Sequence, residues 1–192
     1  PTVGVDSSVV QERLVKVPNP SQSQQSPRAL TESRLPILRI IGQLASTYII
    51  AEGPDGMYLI DQHAAHERIL FEKVMAQRAK CNVEVQGMLE PVTIELTPRQ
   101  GSMLDMAQEM LKSYGFTIDT FGGQTYLVRT APALLGEGDI TRAVHEVIDA
   151  CAEEGDRSKA GERVAASIAC HGAVRAGKVL TMDEMERLVR DL

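Results

Sequence analysis

The residues best suited by type to do chemistry lie in one string, Asp61-Gln62-His63-Ala64-Ala65-His66-Glu67-Arg68-Ile69-Leu70-Phe71-Glu72. If a helix is already running at His63, then His63 and Glu67, four positions apart, project from one face with one a turn above the other. Imidazole and carboxylate so placed can share one metal ion, zinc or manganese by donor type, and the H-E-x-x-H zinc helix relies on the same geometry. Asp61, at the end of the preceding strand, can reach that ion from below. Spacing alone leaves a second reading open, an ordinary exposed helix pair.

For these groups to act, a buried strand must give way to a helix at Asp61. Residues 37–44, 48–51 and 57–60 are short β-prone runs separated by turn residues that include Gly53-Pro54-Asp55-Gly56, and residues 62–77 carry Ile69, Leu70, Phe71 and Val74 among charges. A second unit is expected from Pro91. It comprises an alternating strand at 92–96, a helix opened by the capping box Thr97-Pro98-Arg99-Gln100 and ended at Gly115, strands at 116–121 and 125–130, and a helix with Ile140, Val144, Val147, Ile148 and Cys151 on one face. This is a βαββα unit. A helix at about 161–176, closed by Gly177, and a last one opened by Thr181-Met182-Asp183-Glu184 complete the expected elements.

Composition bounds what such a site can serve. The chain has 192 residues, 43% of them apolar, enough for one sizeable core or two small ones. Its formal charge of -6 is opposite to that of a domain that grips DNA unaided, unless its few basic residues cluster on one face. Cys81, Cys151 and Cys170 are scattered and odd in number, which argues against a disulfide framework and for a reducing, cytoplasmic setting. No membrane segment or secretory signal is visible. Residues 1–34, with the Pro/Ser/Gln-rich run PNPSQSQQSP, read as a disordered linker, and a start at Pro1 without Met suggests a segment of something longer.

The string at 61–72 resembles the D-Q-H-A-x-x-E-x-x-x-x-E signature of nicking-competent MutL proteins of DNA mismatch repair, with Asp61, Gln62, His63, Ala64, Glu67 and Glu72 filling every specified position. The resemblance extends over about 35–192 and takes in G-Q-L-x-x-x-Y-I (42–49) and A-C-H-x-A-V-R-A-G (169–177). It implies the α+β, two-subdomain fold of MutL C-terminal domains: a dimerisation subdomain from 35–80 and 156–192 carrying the metal site, and an external regulatory subdomain at 81–155. It also implies a homodimer that nicks duplex DNA by metal-dependent phosphodiester hydrolysis. Asp61 and Glu67 would be essential to nicking, and His63, Glu67 and Cys170 would be ligands of a structural or regulatory zinc, with Asp61 beside them. Manganese or magnesium would be the catalytic ion. ATP would be handled only by an upstream domain outside this chain, since no Gly-rich nucleotide loop is present, and the mismatch-recognition protein MutS would be a partner. The family's distal C-P-H-G-R-P element does not occur in these residues. The alternative is a non-catalytic dimerisation and clamp-docking module whose metal is structural.

A second motif, Gln86-Gly87-Met88-Leu89-Glu90-Pro91, resembles the peptide by which bacterial MutL proteins contact the replication sliding clamp. Gln86 would bond at a pocket rim while Met88 and Leu89 fill an apolar cleft, with Pro91 closing the motif. The plainer reading is a turn leading into the strand at Val92. His66, His145, His171 and Glu72 read as exposed or supporting groups, Cys151 as a core residue, and Met103, Met106 and Met110 as helix-spaced core packing.

Overall fold

The computed structural model of the chain describes residues 36–136, 138–152, 159–173 and 177–192. The expected linker at 1–34 and the polar stretch at 153–158 lie outside the described residues.

Short alternating runs punctuated by turn residues produce the first sheet, β1 (Arg39–Leu44), β2 (Tyr48–Gly53) and β3 (Gly56–Asp61), antiparallel in that order. Gly53 pairs with Gly56 across a loop of Pro54 and Asp55, and Gly56 adopts φ +122°, a conformation that residues with a β-carbon rarely adopt. Period-two alternation sends Ile49 and Ala51 inward, where both are fully buried, while Tyr48, Ile50 and Glu52 face the other way. The inner face is covered by α5 (Met182–Asp191), whose Met185 and Val189 pack with Ile49, Leu38, Ile40, Ile60 and Leu180. On the outer face Leu44, Met57 and Leu59 remain exposed beside Tyr48 and Ile41.

At Asp61 the chain passes without a loop into α1 (Gln62–Ala79). The second antiparallel sheet has the order β4 (Val85–Glu95), β6 (Thr125–Pro132), β5 (Thr117–Gly122). Thr97 and Gln100 form both halves of the expected capping box at the start of α2 (Pro98–Ser113), and Thr181 and Glu184 do the same for α5. The periodic stripe Ala143, Val144, Val147, Ile148 of α3 (Ile140–Ala152) and Val164, Ala165, Ile168 of α4 (Ala160–Gly172) meet in the main core with Ile94, Leu96, Leu111, Tyr114, Phe116 and Val128. Val74 brings α1 into the same core. One hydrogen-bonded node fastens three helices: the Arg78 guanidinium donates to the Tyr114 hydroxyl at 2.7 Å, and that hydroxyl donates to the Gly161 carbonyl at 2.6 Å.

This is a mixed α+β fold with two antiparallel three-stranded sheets and five α-helices among the described residues, as the sequence led us to expect. Three local expectations need correction. The strand expected from Pro91 begins at Val85, because Val85, Gln86 and Gly87 also pair with β6. The helix expected to reach 176 stops at Gly172, where it meets the backbone of the 3-10 turn Ala133–Leu135, so close that a β-carbon on Gly172 would stand 2.3 Å from the Leu134 carbonyl oxygen. Ala173 is extended, and Gly177 at φ +94° lies beyond the helix and does not close it. Met103 and Met110 pack against the core as expected, but Met106, beside them on α2, is exposed.

Candidate functional site

Asp61 sits where β3 becomes α1, and its Oδ1 accepts hydrogen bonds from the His63 and Ala64 amides at 2.8 and 3.0 Å. Those amides are among the donors that a helix start leaves unpaired, so this carboxylate fixes the first turn and the direction in which His63 leaves it. One turn on, His63 Nε2 lies 3.4 Å from Glu67 Oε1, which confirms that the two share a face. Both are partly exposed.

The third member comes from α4. Packing of Leu70 against Ala169 and Ala173 brings α4 alongside α1, so that the Glu67 carboxylate acts on the Cys170 thiol. Hydrogen bonding by that carboxylate, then burial, then the negative charges of Glu67 and Glu146 push the thiol up to about 11. Cys170 is therefore a neutral donor near pH 7. Glu67 thus faces His63 on its own helix and influences Cys170 on α4, more than a hundred positions away.

His171 diverges from its neighbour, as a step of about 100° along a helix requires. Its Nε2 lies 2.8 Å from Glu146 Oε2 on α3. The hydrogen bond from Arg142 holds the Glu146 carboxyl below its ordinary range, with burial opposing and His171 assisting. Glu146, Asp149, Arg163, Ser167 and Cys170 line an open cleft of about 500 Å³ between α3 and α4. Glu72 pairs with Arg68 on the surface, and His145 lies 3.4 Å from the Gln100 amide nitrogen.

Residue-by-residue reading of the sequence missed the support beneath this site. Gln62 is 2% exposed and is the buried polar side chain among the described residues. Its carboxamide and that of Gln43 bond to one another, and both donate to the Lys178 carbonyl, at 3.3 and 2.9 Å. The Leu180 amide donates back to Gln43 Oε1 at 3.2 Å. This clasp ties β1, the start of α1 and the approach to α5 together directly under Asp61 and His63. Both glutamines stand inside quoted motifs, but alternation and helical period give no reason to bury either.

The donor types present, an imidazole, two carboxylates and a thiol, suit zinc with a carboxylate-preferring ion beside it. Of these, His63 and Glu67 stand 3.4 Å apart. Among the described residues, however, no group of three or more His, Cys, Asp and Glu side chains is already spaced to hold a metal ion. Closing His63, Glu67 and Cys170 on one ion requires Cys170 to lose its proton.

Gln86–Pro91 lies on the edge strand β4 of the second sheet. Gly87 pairs with Thr130 and Val92 with Val128, so Met88, Leu89, Glu90 and Pro91 bulge out opposite Arg129 alone. Leu89 is fully exposed, while Met88 is half-buried against the domain's own core and Gln86 donates to the Gly136 carbonyl at 2.9 Å. No described helix is long and apolar enough to cross a membrane.

Residues 41–180 match the family model described as the MutL C terminal dimerisation domain. A protein named DNA mismatch repair protein MutL from Koribacter versatilis (strain Ellin345) is 41% identical over 164 residues, covering 84% of this chain and 25% of that protein. One of the same name from Methanoculleus marisnigri is 44% identical over 167 residues, covering 84% of this chain and 28% of that protein. A third, from Caulobacter vibrioides, is 39% identical over 153 residues, covering 78% and 24%. The chain thus spans about a quarter of the length of the curated relatives it matches.

Proposed function

Since the chain belongs to the family of MutL C-terminal dimerisation domains, we propose that it pairs with a second copy of itself in DNA mismatch repair and carries a metal-dependent site that nicks duplex DNA. The observation that supports the nicking site is the action of Glu67 on Cys170. A thiol from α4 comes under the influence of the carboxylate of the signature helix, which already faces His63.

His63, Glu67 and Cys170 would hold zinc, while Asp61 and Glu67 would serve manganese or magnesium. A divalent ion supplies positive charge that polarises a phosphoryl oxygen and acidifies nearby water. The chain's own part is positional. Asp61 fixes the first turn, the glutamine clasp holds that turn to the sheet, and Glu67 faces the imidazole and acts on the thiol. Because Cys170 must give up a proton to become a ligand, zinc affinity should rise with pH until the thiol titrates near 11.

The outer face of β1–β3, with Leu44, Met57 and Leu59 exposed around Ile50, is the surface we assign to the second copy. Leu89, lifted from the edge strand by the bulge, is the anchor we assign to a sliding clamp, with Gln86 and Pro91 flanking it. Full use of the motif would also require Met88 to leave its half-buried seat. MutS and ATP belong to the whole protein, of which this chain would be the C-terminal part.

A second reading is a dimerisation and docking module without catalysis. It draws on Asp61 committing its Oδ1 to the helix cap and on the lack of a ready three-donor group among the described residues. Relaxation of supercoiled plasmid in manganese separates the two. Nicking that is lost in both Asp61→Asn and Glu67→Lys supports the first, and no nicking even with clamp present supports the second.

A further inference from the structure

The domain is acidic overall, with a formal charge of -6, so any grip on DNA must come from a local departure from that balance. One pair of cations adjoins the site. Lys73 stands seven residues beyond His66 on α1, two turns along the same face, about 10 Å away. Lys178 lies on the segment before α5, and Glu184 and Asp191, the carboxylates nearest the two ammonium groups, stand seven residues apart on one face of α5. The position of Lys178 is not left to a flexible loop. Its carbonyl accepts from Gln43 and Gln62, Gly177 donates to the Ser46 carbonyl at 3.2 Å, and Leu180 donates to Gln43.

Neither lysine is committed to a strong partner. Lys73 Nζ is 3.9 Å from Asp191 and Lys178 Nζ is 3.4 Å from Glu184, and all four side chains are about half exposed. Exposed pairs of this kind are worth about 0–1 kcal/mol and exchange readily for a competing anion. A phosphodiester offers a full negative charge and brings counterion release besides.

We propose that Lys73 and Lys178, the latter set in place by the Gln43–Gln62 clasp, form a phosphate-binding pair that holds the DNA backbone beside the His63–Glu67–Cys170 centre. The inference rests on the reading of that centre as acting on duplex DNA, but it concerns binding and not cutting. Glu184 and Asp191 act as the resident carboxylates that the backbone displaces. The glutamines are positioning residues, which act through the Lys178 main chain.

The test is fluorescence anisotropy of the whole chain with a labelled duplex oligonucleotide in chelator, from low salt upward, so that no cutting contributes. Each phosphate contact adds about 0.9 to the slope of log K against log salt, so Lys73→Gln with Lys178→Gln should flatten that slope by about 1.8 and weaken binding at low salt several-fold. Lys112→Gln with Arg129→Gln removes the same charge from α2 and β6 and should leave the slope unchanged. Glu184→Gln with Asp191→Asn, in which both lysines are kept, should tighten binding. An unchanged slope in the first pair, an equal loss in the second, or no binding to duplex at low salt would each overturn the proposal. Plasmid nicking that persists while these binding results fail would sink only the lysine assignment. A slope that responds as expected in a protein that never nicks would sink only the nuclease.

Discussion

Replacing Glu67 by Gln removes the carboxylate on which the whole site turns, and the consequence is calculable at Cys170. The thiol stands at about 11 against an ordinary value of 9, chiefly because of Glu67. Glutamine keeps the size of the side chain but loses the charge. If the thiol returned fully to its ordinary value, the thiolate fraction at pH 8 would rise by a factor of about 100. Thiolate nucleophilicity falls with pKa at a Brønsted coefficient of about 0.4–0.5, which takes back about eightfold over that range. Alkylation of Cys170 should therefore accelerate about tenfold in Glu67→Gln, somewhat less where burial and Glu146 retain part of the shift. The assay is iodoacetamide labelling across pH in chelator, followed peptide by peptide so that exposed Cys81 and half-buried Cys151 serve as internal references. An acceleration at Cys170 alone, with its pH midpoint moved down, verifies the contact. Equal rates and an unmoved midpoint would show that the thiol and the carboxylate do not meet, and the case for a shared ion would fall with them.

The clasp should prove costly to break. Gln62→Leu removes its two hydrogen bonds, from the Gln43 amide and to the Lys178 carbonyl, so urea unfolding should show a loss of about 1–3 kcal/mol. Stability should decline as pH rises through the range from 9 to about 11, because Cys151 and Cys170 keep their protons in the folded state after the unfolded chain has lost them. Melting temperature against pH, compared with a variant carrying Cys151→Ala and Cys170→Ala, should be steeper for the unaltered chain over that interval alone. Leu59→Lys on the outward face of β3 should convert the proposed homodimer to monomer by light scattering with little change in the fold, since that position is 56% exposed. A dimer that survives this change would place the contact elsewhere.

Much of this protein was legible one residue at a time. Both capping boxes, the glycine that ends α2, the hairpin turn at Gly53–Gly56 and the apolar stripe of α3 depend on groups only a few positions apart, and each is where local chemistry puts it. His63 and Glu67 belong to the same class, because a helical turn alone brings them together. The residue types proposed for the site are likewise written in the signature string, apart from Cys170.

What tertiary structure decided are the contacts that cross the chain. The burial of Leu70 on Ala169 determines that Cys170, and not His171, turns toward Glu67, leaving His171 to Glu146. The close approach of Gly172 to the 3-10 turn ends α4 where helical periodicity would have continued it. Two glutamines became structural because three separate segments converge on one carbonyl, and Leu89 became fully exposed because its strand carries more residues than its partner can pair. Hydrogen bonds within a turn are fixed by covalent proximity, whereas the partners of Cys170, Gln62 and Leu89 are fixed only once the layers have packed and each buried polar group has found its complement.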